Sequence, residues 1–393
     1  MLTHRAFKVL TSFVIGVVIG VCLRTACPVE APALSPPYLS PPGRPELIYH
    51  RAFREGPAVS ARAAILVEAS TGIVLYAKNE HERREQASIT KAMTAIVAIE
   101  RGDLADIVRV SPNAAKVPGS TLNLVPGQDY KLEELLRATM LRSGNDGATA
   151  VAEHVGGSVE DFVTLMNARA ASMGLKNTHF ANPHGLSAPG HYSTAYDIAL
   201  MCMWGLRLPK FADIVGCPEL WTSSVESGRA KVVYNTNRLL WGFSGADGIK
   251  TGTTSKAGHC LAASATRDGL QFIAVVLRSN ARFKDAADLL EYGFSTFTRI
   301  RAAEAGVAVG DVLVRRGLDR SVEVATAKDV DVVVRVDEVP GISVEIRVPE
   351  SPEAPVCPGD RVGWLDVLYQ GDLIASQQLY AMKAVDRRPI WAR

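Results

Sequence analysis

The stretch "ASITKAMTAIVAIE", from Ala87 to Glu100, places a serine three residues before a lysine at the start of an apolar helical pattern. Residues three apart on a helix share one face, so the Ser88 hydroxyl and the Lys91 amine would point into the same space. An unprotonated amine can take the hydroxyl proton and make the serine a nucleophile. In the alternative, Ser88 only caps the helix and Lys91 is solvated.

The nucleophile interpretation requires a lysine that is neutral near pH 7. Free lysine titrates at about 10.4, so burial or a neighbouring positive charge must lower the pKa of Lys91. The N-terminus of the helix adds positive potential, which disfavours the ammonium ion. The S-x-x-K pattern alone does not decide between the two interpretations.

Two further patterns follow along the chain. Ser143-Gly144-Asn145 falls in a short break between helical patterns, where it could face a cleft or simply cap the next helix. Lys250-Thr251-Gly252-Thr253 falls on a predicted strand, where the glycine would let a substrate backbone lie alongside as an added strand. Lys250 would also bring a second positive charge toward Lys91; the alternative is a plain hairpin with an exposed lysine.

The order S-x-x-K, S-x-N, K-T-G is the signature of active-site serine β-lactamases and penicillin-binding proteins. Each of the three motifs falls in the kind of local structure that its role requires. We therefore interpret Ser88 as a nucleophile and Lys91 as its general base. No metal ion or cofactor is required by such a site.

The composition fits an exported globular protein. The chain of 393 residues has room for two domains, and its net charge of +2 gives no sign of nucleic-acid binding. Basic residues precede the apolar run Val9–Leu23, so we predict that residues 1–33 are a signal peptide or an uncleaved membrane anchor. Residues 34–58 are rich in proline and are predicted to be a linker.

The predicted fold class is α/β in the broad sense, of the α+β kind. Residues 59–299 read as strands, then helices, then strands, which predicts one antiparallel sheet with helices packed on it. Residues 300–385 read as a smaller all-β domain, in which "ISVEIRV" alternates as a half-buried strand, and residues 386–393 are a short tail.

Cysteines and histidines suggest no metal centre. Four cysteines lie outside the export segment: Cys202, Cys217, Cys260 and Cys357. Their wide spacing favours separate buried thiols, and the alternative is a Cys202–Cys217 disulfide. His179, His184 and His191 share one loop, but the chain lacks an H-E-x-x-H motif, and we expect structural roles for them.

From Ala61 to Val385 the chain resembles the low-molecular-mass penicillin-binding proteins, which are serine D-alanyl-D-alanine carboxypeptidases of bacterial envelopes. The resemblance is carried, in family order, by "ASITK", "RSGNDGA", "FVTLMNARA", "FANPHGL", "YSTAYDIA", "NTNRLL" and "DGIKTGTT". It implies a β-lactamase/transpeptidase-like domain followed by the family's β-rich C-terminal domain. It also implies a substrate, a peptidoglycan stem peptide ending in D-Ala-D-Ala, and covalent inhibition by β-lactams.

The resemblance assigns roles to the motif residues. Lys91 would activate Ser88, the backbone N–H groups of Ser88 and Thr253 would form the oxyanion hole, Ser143 would relay a proton to the leaving amine, and Asn145 would hold Lys91. The terminal carboxylate would be bound by the strand residues Lys250, Thr251, Gly252 and Thr253.

One departure concerns an arginine that some members carry in an Asn-Arg-Asn stretch. Here the stretch reads Asn235-Thr236-Asn237-Arg238, so Arg238 either binds the carboxylate from a shifted position or is a surface charge. The competing functions are a DD-endopeptidase, a serine β-lactamase and a non-catalytic wall-binding relative. Ser-Gly-Asn, where β-lactamases usually have Ser-Asp-Asn, favours the carboxypeptidase, which is expected in the periplasm or cell envelope.

Overall fold

The computed structural model describes residues 48–49, 56–222 and 231–389. The predicted signal peptide or anchor (1–33), most of the linker and the end of the tail lie outside these residues. Within the described ranges, no helix combines the length and the apolar character needed to cross a bilayer.

The first part of the chain alternates strands with a helical region. Its strands are β1 (Ile48–Tyr49), β2 (Ala63–Glu68), β3 (Ile73–Lys78), β4 (Ile107–Arg109), β5 (Asp129–Lys131), β6 (Glu219–Thr222), β7 (Lys231–Tyr234), β8 (Ala246–Thr254), β9 (Gly258–Arg267) and β10 (Leu270–Ser279). Its helices are α1 (Lys91–Arg101), α2 (Leu132–Arg142), α3 (Asn145–Gly156), α4 (Val159–Met173), α5 (Ala195–Leu206), α6 (Pro209–Gly216), α7 (Leu239–Gly242) and α8 (Arg282–Thr296). Short 3-10 helices span Ala87–Thr90 and Ala114–Lys116.

Among the described residues, six strands form one sheet in the order β1-β3-β2-β10-β9-β8. Every neighbouring pair is antiparallel except β1 and β3, so the predicted antiparallel sheet of N- and C-terminal strands is confirmed. Strand β2 is buried throughout because helices cover both faces of the sheet. Ile65 and Val67 pack in the core of the helical region, whereas Ala64 and Leu66 pack against α8 on the other face.

This topology leaves β8 at one edge of the sheet, paired only with β9 along Ala246–Thr254. The 3-10 helix Ala87–Thr90 and helix α6 lie against β8. The K-T-G motif therefore lies on an edge strand next to the S-x-x-K motif, which is the placement that the sequence predicted.

The second part of the chain is all-β, as predicted. Its elements are β11 (Phe297–Ala303), β12 (Ala308–Leu313), β13 (Ser321–Thr326), β14 (Val330–Arg335), the 3-10 helix Val336–Gly341, β15 (Ile342–Arg347), β16 (Arg361–Tyr369) and β17 (Asp372–Ala381). In this part of the described chain, one sheet has the order β12-β13-β17-β16-β15, and β11 pairs separately with β14. Strand β11 runs across the boundary predicted between residues 299 and 300.

Two details differ from the sequence predictions. Strand β15 does not alternate between buried and exposed residues, because it is an edge strand and Val344 is 44% exposed. Cys202, Cys217 and Cys260 are free, so the alternative Cys202–Cys217 disulfide is absent, and Cys217 is only partly buried. Cys357, however, is disulfide-bonded, so the prediction of four separate thiols is wrong there.

Candidate active site

Ser88 lies in the 3-10 helix Ala87–Thr90, and helix α1 starts only at Lys91. A 3-10 helix has three residues per turn, so side chains at i and i+3 lie directly above one another. The Ser88 Oγ and Lys91 Nζ atoms are accordingly 3.1 Å apart. The predicted single helix from Ser88 is therefore wrong in detail, but the tighter turn aligns the two groups better. Ser88 caps neither helix, because the N-cap residues are Gln86 and Thr90.

Lys91 is fully buried and has three polar neighbours at hydrogen-bonding distance. Its Nζ donates to the Asn145 side-chain oxygen at 2.7 Å and to the His184 backbone carbonyl at 2.7 Å. A neutral amine has two N–H groups and one lone pair, and these two pure acceptors use both N–H groups. The lone pair is then left for the Ser88 hydroxyl, which is the arrangement that a general base requires.

The surroundings of Lys91 favour its neutral form. Burial lowers its pKa well below the ordinary value, and the positive charge of Lys250 lowers it further. The Asp146 carboxylate acts in the opposite direction and is the weakest of these three influences. Both causes that the sequence predicted, burial and a second ammonium group, therefore operate, with burial the larger.

The Ser-Gly-Asn motif joins helices α2 and α3. Ser143 is buried and has a left-handed backbone, with φ of +68°, at the C-terminal end of α2. Gly144 is the N-cap residue of α3 and Asn145 is the first helical residue, so no side chain of the motif caps α3. The capping alternative is therefore not observed. The amide of Asn145 points to Lys91 instead.

Lys250 and Thr251 are buried in the middle of β8. Burial and the nearby Arg282 lower the pKa of Lys250 to about 7. Its Nζ donates to the Thr251 carbonyl at 3.2 Å, and the Thr251 hydroxyl lies 2.7 Å from that of Thr236. The alternative of an exposed hairpin lysine is excluded by the burial of Lys250.

Glycines let three segments of backbone meet at the nucleophile. A Cβ atom at Gly252 would lie 2.7 Å from the Gln86 carbonyl oxygen and 3.2 Å from the Ser88 nitrogen. A Cβ atom at Gly185 would lie 2.0 Å from the Ala87 carbonyl oxygen, and Gly185 has a φ of +91°. Any larger residue at either position would displace the turn that carries Ser88.

The structure brings a different arginine to β8 from the one considered in the sequence. Arg238 is exposed, and its guanidinium lies 5.9 Å from the centre of the Phe283 ring. Arg282, the first residue of α8, donates to the Gly252 carbonyl at 2.9 Å and to the Thr253 hydroxyl at 2.7 Å. Sequence reasoning missed Arg282. A signal was present, because Arg282 closely follows β10. The predicted hairpins place the end of β10 beside the start of β9, and the start of β9 beside the end of β8.

The loop histidines have structural contacts. His191 is buried: its Nδ1 accepts from the Ala181 N–H at 3.0 Å, and its Nε2 lies 2.8 Å from the Thr90 hydroxyl. Both ring nitrogens are thus engaged, and burial lowers the pKa of His191 to about 4. Burial and Lys91 lower the pKa of His184 to about 3. Among the described residues, no three side chains of the metal-binding types cluster.

Comparison with known proteins gives consistent matches over both parts of the chain. Residues 51–281 match the family described as D-alanyl-D-alanine carboxypeptidase, and residues 297–387 match the penicillin-binding protein 5 C-terminal domain. The chain is 35% identical over 333 residues to D-alanyl-D-alanine carboxypeptidase DacF of Bacillus subtilis, covering 82% of this chain and 85% of the relative. It is 32% identical over 356 residues to DacC of Escherichia coli, covering 86% and 88%. The crystal structure of penicillin binding protein 5 from Haemophilus influenzae superposes with a TM-score of 0.74 at 30% identity, covering 85% of this chain and 99% of that one.

Proposed function

The chain belongs to the D-alanyl-D-alanine carboxypeptidase family, and we propose that it hydrolyses peptidoglycan stem pentapeptides through an acyl-enzyme on Ser88, releasing the terminal D-alanine. The observation that carries this proposal is the set of contacts at Lys91. Two acceptors occupy the N–H groups of its neutral amine, and the third neighbour is the Ser88 hydroxyl. A serine with a buried, uncharged base beside it is an activated nucleophile.

In the proposed acylation step, Ser88 Oγ attacks the carbonyl between the two D-alanines while its proton passes to Lys91 Nζ. The negative charge that develops on the carbonyl oxygen would be stabilised by the backbone N–H groups of Ser88 and Thr253. Each such donor is typically worth about 3 kcal/mol. The close approach of Gly252 to the Ser88 nitrogen supports this role, because it brings the two segments within reach of one oxygen atom.

The substrate would lie as an added strand along the free edge of β8. Its terminal carboxylate would be bound by Lys250 and by the hydroxyls of Thr251 and Thr253, and its backbone would pass Gly252. Arg282 adds a second positive charge at the Thr253 hydroxyl. Ser143 would pass a proton to the leaving amine, and water would then hydrolyse the acyl-enzyme.

The rest of the proposal concerns the chain as a whole. Residues 59–299 would carry the catalysis, and residues 300–385 would form a separate β domain without catalytic residues. The substrate belongs to the cell wall, so we place the enzyme in the periplasm or cell envelope, exported by the N-terminal segment, which could also attach it to the membrane. β-Lactams, which resemble the acyl donor, would acylate Ser88.

Two measurements on the wild-type protein test this function. A pentapeptide ending in D-Ala-D-Ala should release one equivalent of D-alanine per peptide, and a labelled penicillin should form a long-lived adduct located on Ser88 by mass spectrometry of the digested protein. Rapid turnover of penicillin without D-alanine release would instead indicate a β-lactamase. An absence of both reactions would indicate a non-catalytic relative.

The reaction is expected to weaken as the pH rises through about 7, where Lys250 of the free enzyme loses its charge. Because the pKa of Lys250 is lowered, Lys250 is fully protonated only below that pH. The protonated ammonium form is the one that binds the substrate carboxylate. We expect kcat/KM to fall on the alkaline side while kcat falls only at higher pH, because the bound carboxylate stabilises the ammonium ion. D-alanine release between about pH 5 and about pH 9 measures both constants.

A pentapeptide with a C-terminal amide in place of the carboxylate is the control for this profile. It should react slowly and without the alkaline decline in kcat/KM, since it has no charge for Lys250 to bind. If kcat/KM declined identically at alkaline pH for the peptide with a C-terminal carboxylate and for the peptide amide, the role given to Lys250 would be contradicted.

A further inference from the structure

The segment 118–124, which we name the covering loop, crosses the Ser-Gly-Asn motif and is held there by Asp146. The Asp146 carboxylate is fully buried. It accepts from the Thr121 hydroxyl, from the backbone N–H of Leu122 at 3.0 Å and from the backbone N–H of Leu124 at 3.1 Å. It also accepts from the Gly147 N–H at 2.8 Å. One carboxylate thus ties three groups of the loop, from Thr121, Leu122 and Leu124, to the start of α3.

The covering loop in turn holds Asn145 at two points. The Asn145 backbone N–H donates to the Ser120 carbonyl at 2.7 Å, and its side-chain Nδ2 donates to the Pro118 carbonyl at 2.7 Å. Between these residues, Gly119 has a φ of +96°, and a Cβ atom there would lie 2.8 Å from Asn145 Nδ2. The loop backbone therefore lies directly against the amide end of Asn145 that faces away from Lys91.

Packing supports the same arrangement. A Cβ atom at Gly144 would lie 2.7 Å from Cγ of Leu122, and one at Gly147 would lie 2.9 Å from Cδ1 of Leu122. The two glycines on either side of Asn145 and Asp146 thus leave the space that the Leu122 side chain fills. The loop is fixed both by hydrogen bonds to Asp146 and by this apolar contact.

We propose that Asp146 is a positioning residue, which acts through the covering loop to fix which end of the Asn145 amide faces Lys91. The two ends of an amide are nearly the same size and have opposite hydrogen-bonding character. With the Pro118 carbonyl accepting from Nδ2, the oxygen must face Lys91, where it accepts an N–H of the amine. A rotated amide would aim an N–H at Lys91 and compete with Ser88 for the lone pair. The inference rests on the proposed function and adds a residue to it.

The charge of Asp146 provides a second, separable effect. The charged or titratable groups that influence Lys91 are Lys250, Asp146 and His184, and Asp146 alone raises the pKa of Lys91. Removing that negative charge lowers the pKa of Lys91 further, so the base becomes available at lower pH. The acidic limb of the acylation profile must then shift to lower pH, which a general loss of stability does not produce.

The test measures the rate of acylation of Ser88 by a labelled penicillin against pH in Asp146→Asn, Thr121→Val and the wild type. In Asp146→Asn the maximal acylation rate should fall about tenfold, since a mispositioned group at a reacting centre typically lowers the rate by up to about a hundredfold. The acidic limb of its pH profile should also move to lower pH. Thr121→Val removes two hydrogen bonds of the loop, the one that the hydroxyl donates to Asp146 and the one that it accepts from the Asn123 N–H, but keeps the charge of Asp146. Its plateau should fall about threefold with the limb unmoved. Asp129→Asn, at a partly exposed carboxylate paired with Arg109, is the matched control and should match the wild type.

A wild-type plateau in both loop variants would overturn the inference. The inference would also be overturned if the lower acylation rate of Asp146→Asn were explained by its smaller folded fraction, measured by thermal unfolding, and its acidic limb lay at the wild-type pH. If Asp146→Asn does not fold, Thr121→Val decides by its plateau. A wild type that takes no label on Ser88 contradicts the proposed function itself, so the two failures are distinguished before any variant is compared.

Discussion

Replacing Ser88 by alanine is expected to abolish the penicillin adduct and to lower D-alanine release by at least about ten-thousandfold. The substitution removes the hydroxyl that lies 3.1 Å from Lys91 Nζ and that would attack the substrate carbonyl. The other proposed groups, which bind the carboxylate and polarise the carbonyl, remain in place and cannot form the covalent intermediate. Mass spectrometry of the intact protein after incubation with penicillin measures the first effect, and a D-alanine assay measures the second.

This variant should fold normally, which makes the result interpretable. Ser88 is partly exposed, and its hydroxyl contacts Lys91, so its loss should change the free energy of unfolding by only about 1 kcal/mol. Ser295→Ala, at an exposed position in the last turn of α8, is the matched control and should be labelled like the wild type. An adduct that still forms in Ser88→Ala would show that another residue is the nucleophile.

Local signals in the sequence were strong enough to predict most of the fold. Helix α4 is an example: Ser158 caps it by accepting from the Asp161 N–H, and Gly174 ends it with a left-handed backbone, and both are residue types that mark helix ends in a sequence. Strand β10 is another, since a turn at Asp268-Gly269 precedes its apolar run. Caps, turns and periodicity depend on neighbours in sequence, and the sequence displays them directly.

The site was predictable only in part. The three motifs predicted Ser88, Asn145 and Lys250 as neighbours of Lys91. Other groups that fix the position and charge of Lys91 lie outside the motifs. The His184 backbone carbonyl accepts the second N–H of Lys91, and a backbone group leaves no mark in a residue pattern. Asp146 belongs to none of the three motifs, and its bonds to the covering loop depend on a tertiary contact that the sequence does not display.

Errors arose where long-range structure overrides local pattern. The alternation in "ISVEIRV" is real in sequence, but β15 lies at a sheet edge, where Val344 has no layer to cover it. The sequence left open whether Arg238 binds the carboxylate or is a surface charge, and it did not point to Arg282, which reaches β8 through two hairpins. In each case the deciding neighbour is distant in sequence.

Replacing Lys91 by methionine is expected to slow acylation by penicillin about a thousandfold, the middle of the range for loss of a general base. Methionine fills a similar apolar volume in this buried position without an amine. The residues that accept the two N–H groups of Lys91 cannot replace the base near neutral pH: the Asn145 amide does not titrate, and the pKa of His184 is about 3. The rate of adduct formation under pseudo-first-order conditions measures the effect. Lys256→Met, at an exposed lysine beyond the end of β8, is the matched control.

The pH dependence of this variant separates the loss of a base from a loss of structure. In the wild type, acylation should rise with pH as Lys91 loses its proton, until the loss of the Lys250 charge produces the alkaline decline described above. In Lys91→Met that limb should disappear, and the remaining slow rate should keep increasing with pH, because hydroxide becomes the proton acceptor. A variant that retains the wild-type limb, or is acylated within about tenfold of the wild-type rate, would require a base other than Lys91. The Lys91 amine is buried, and acceptors other than Ser88 already take its two N–H groups. The pH profile therefore reports on the protonation of the nitrogen that faces Ser88.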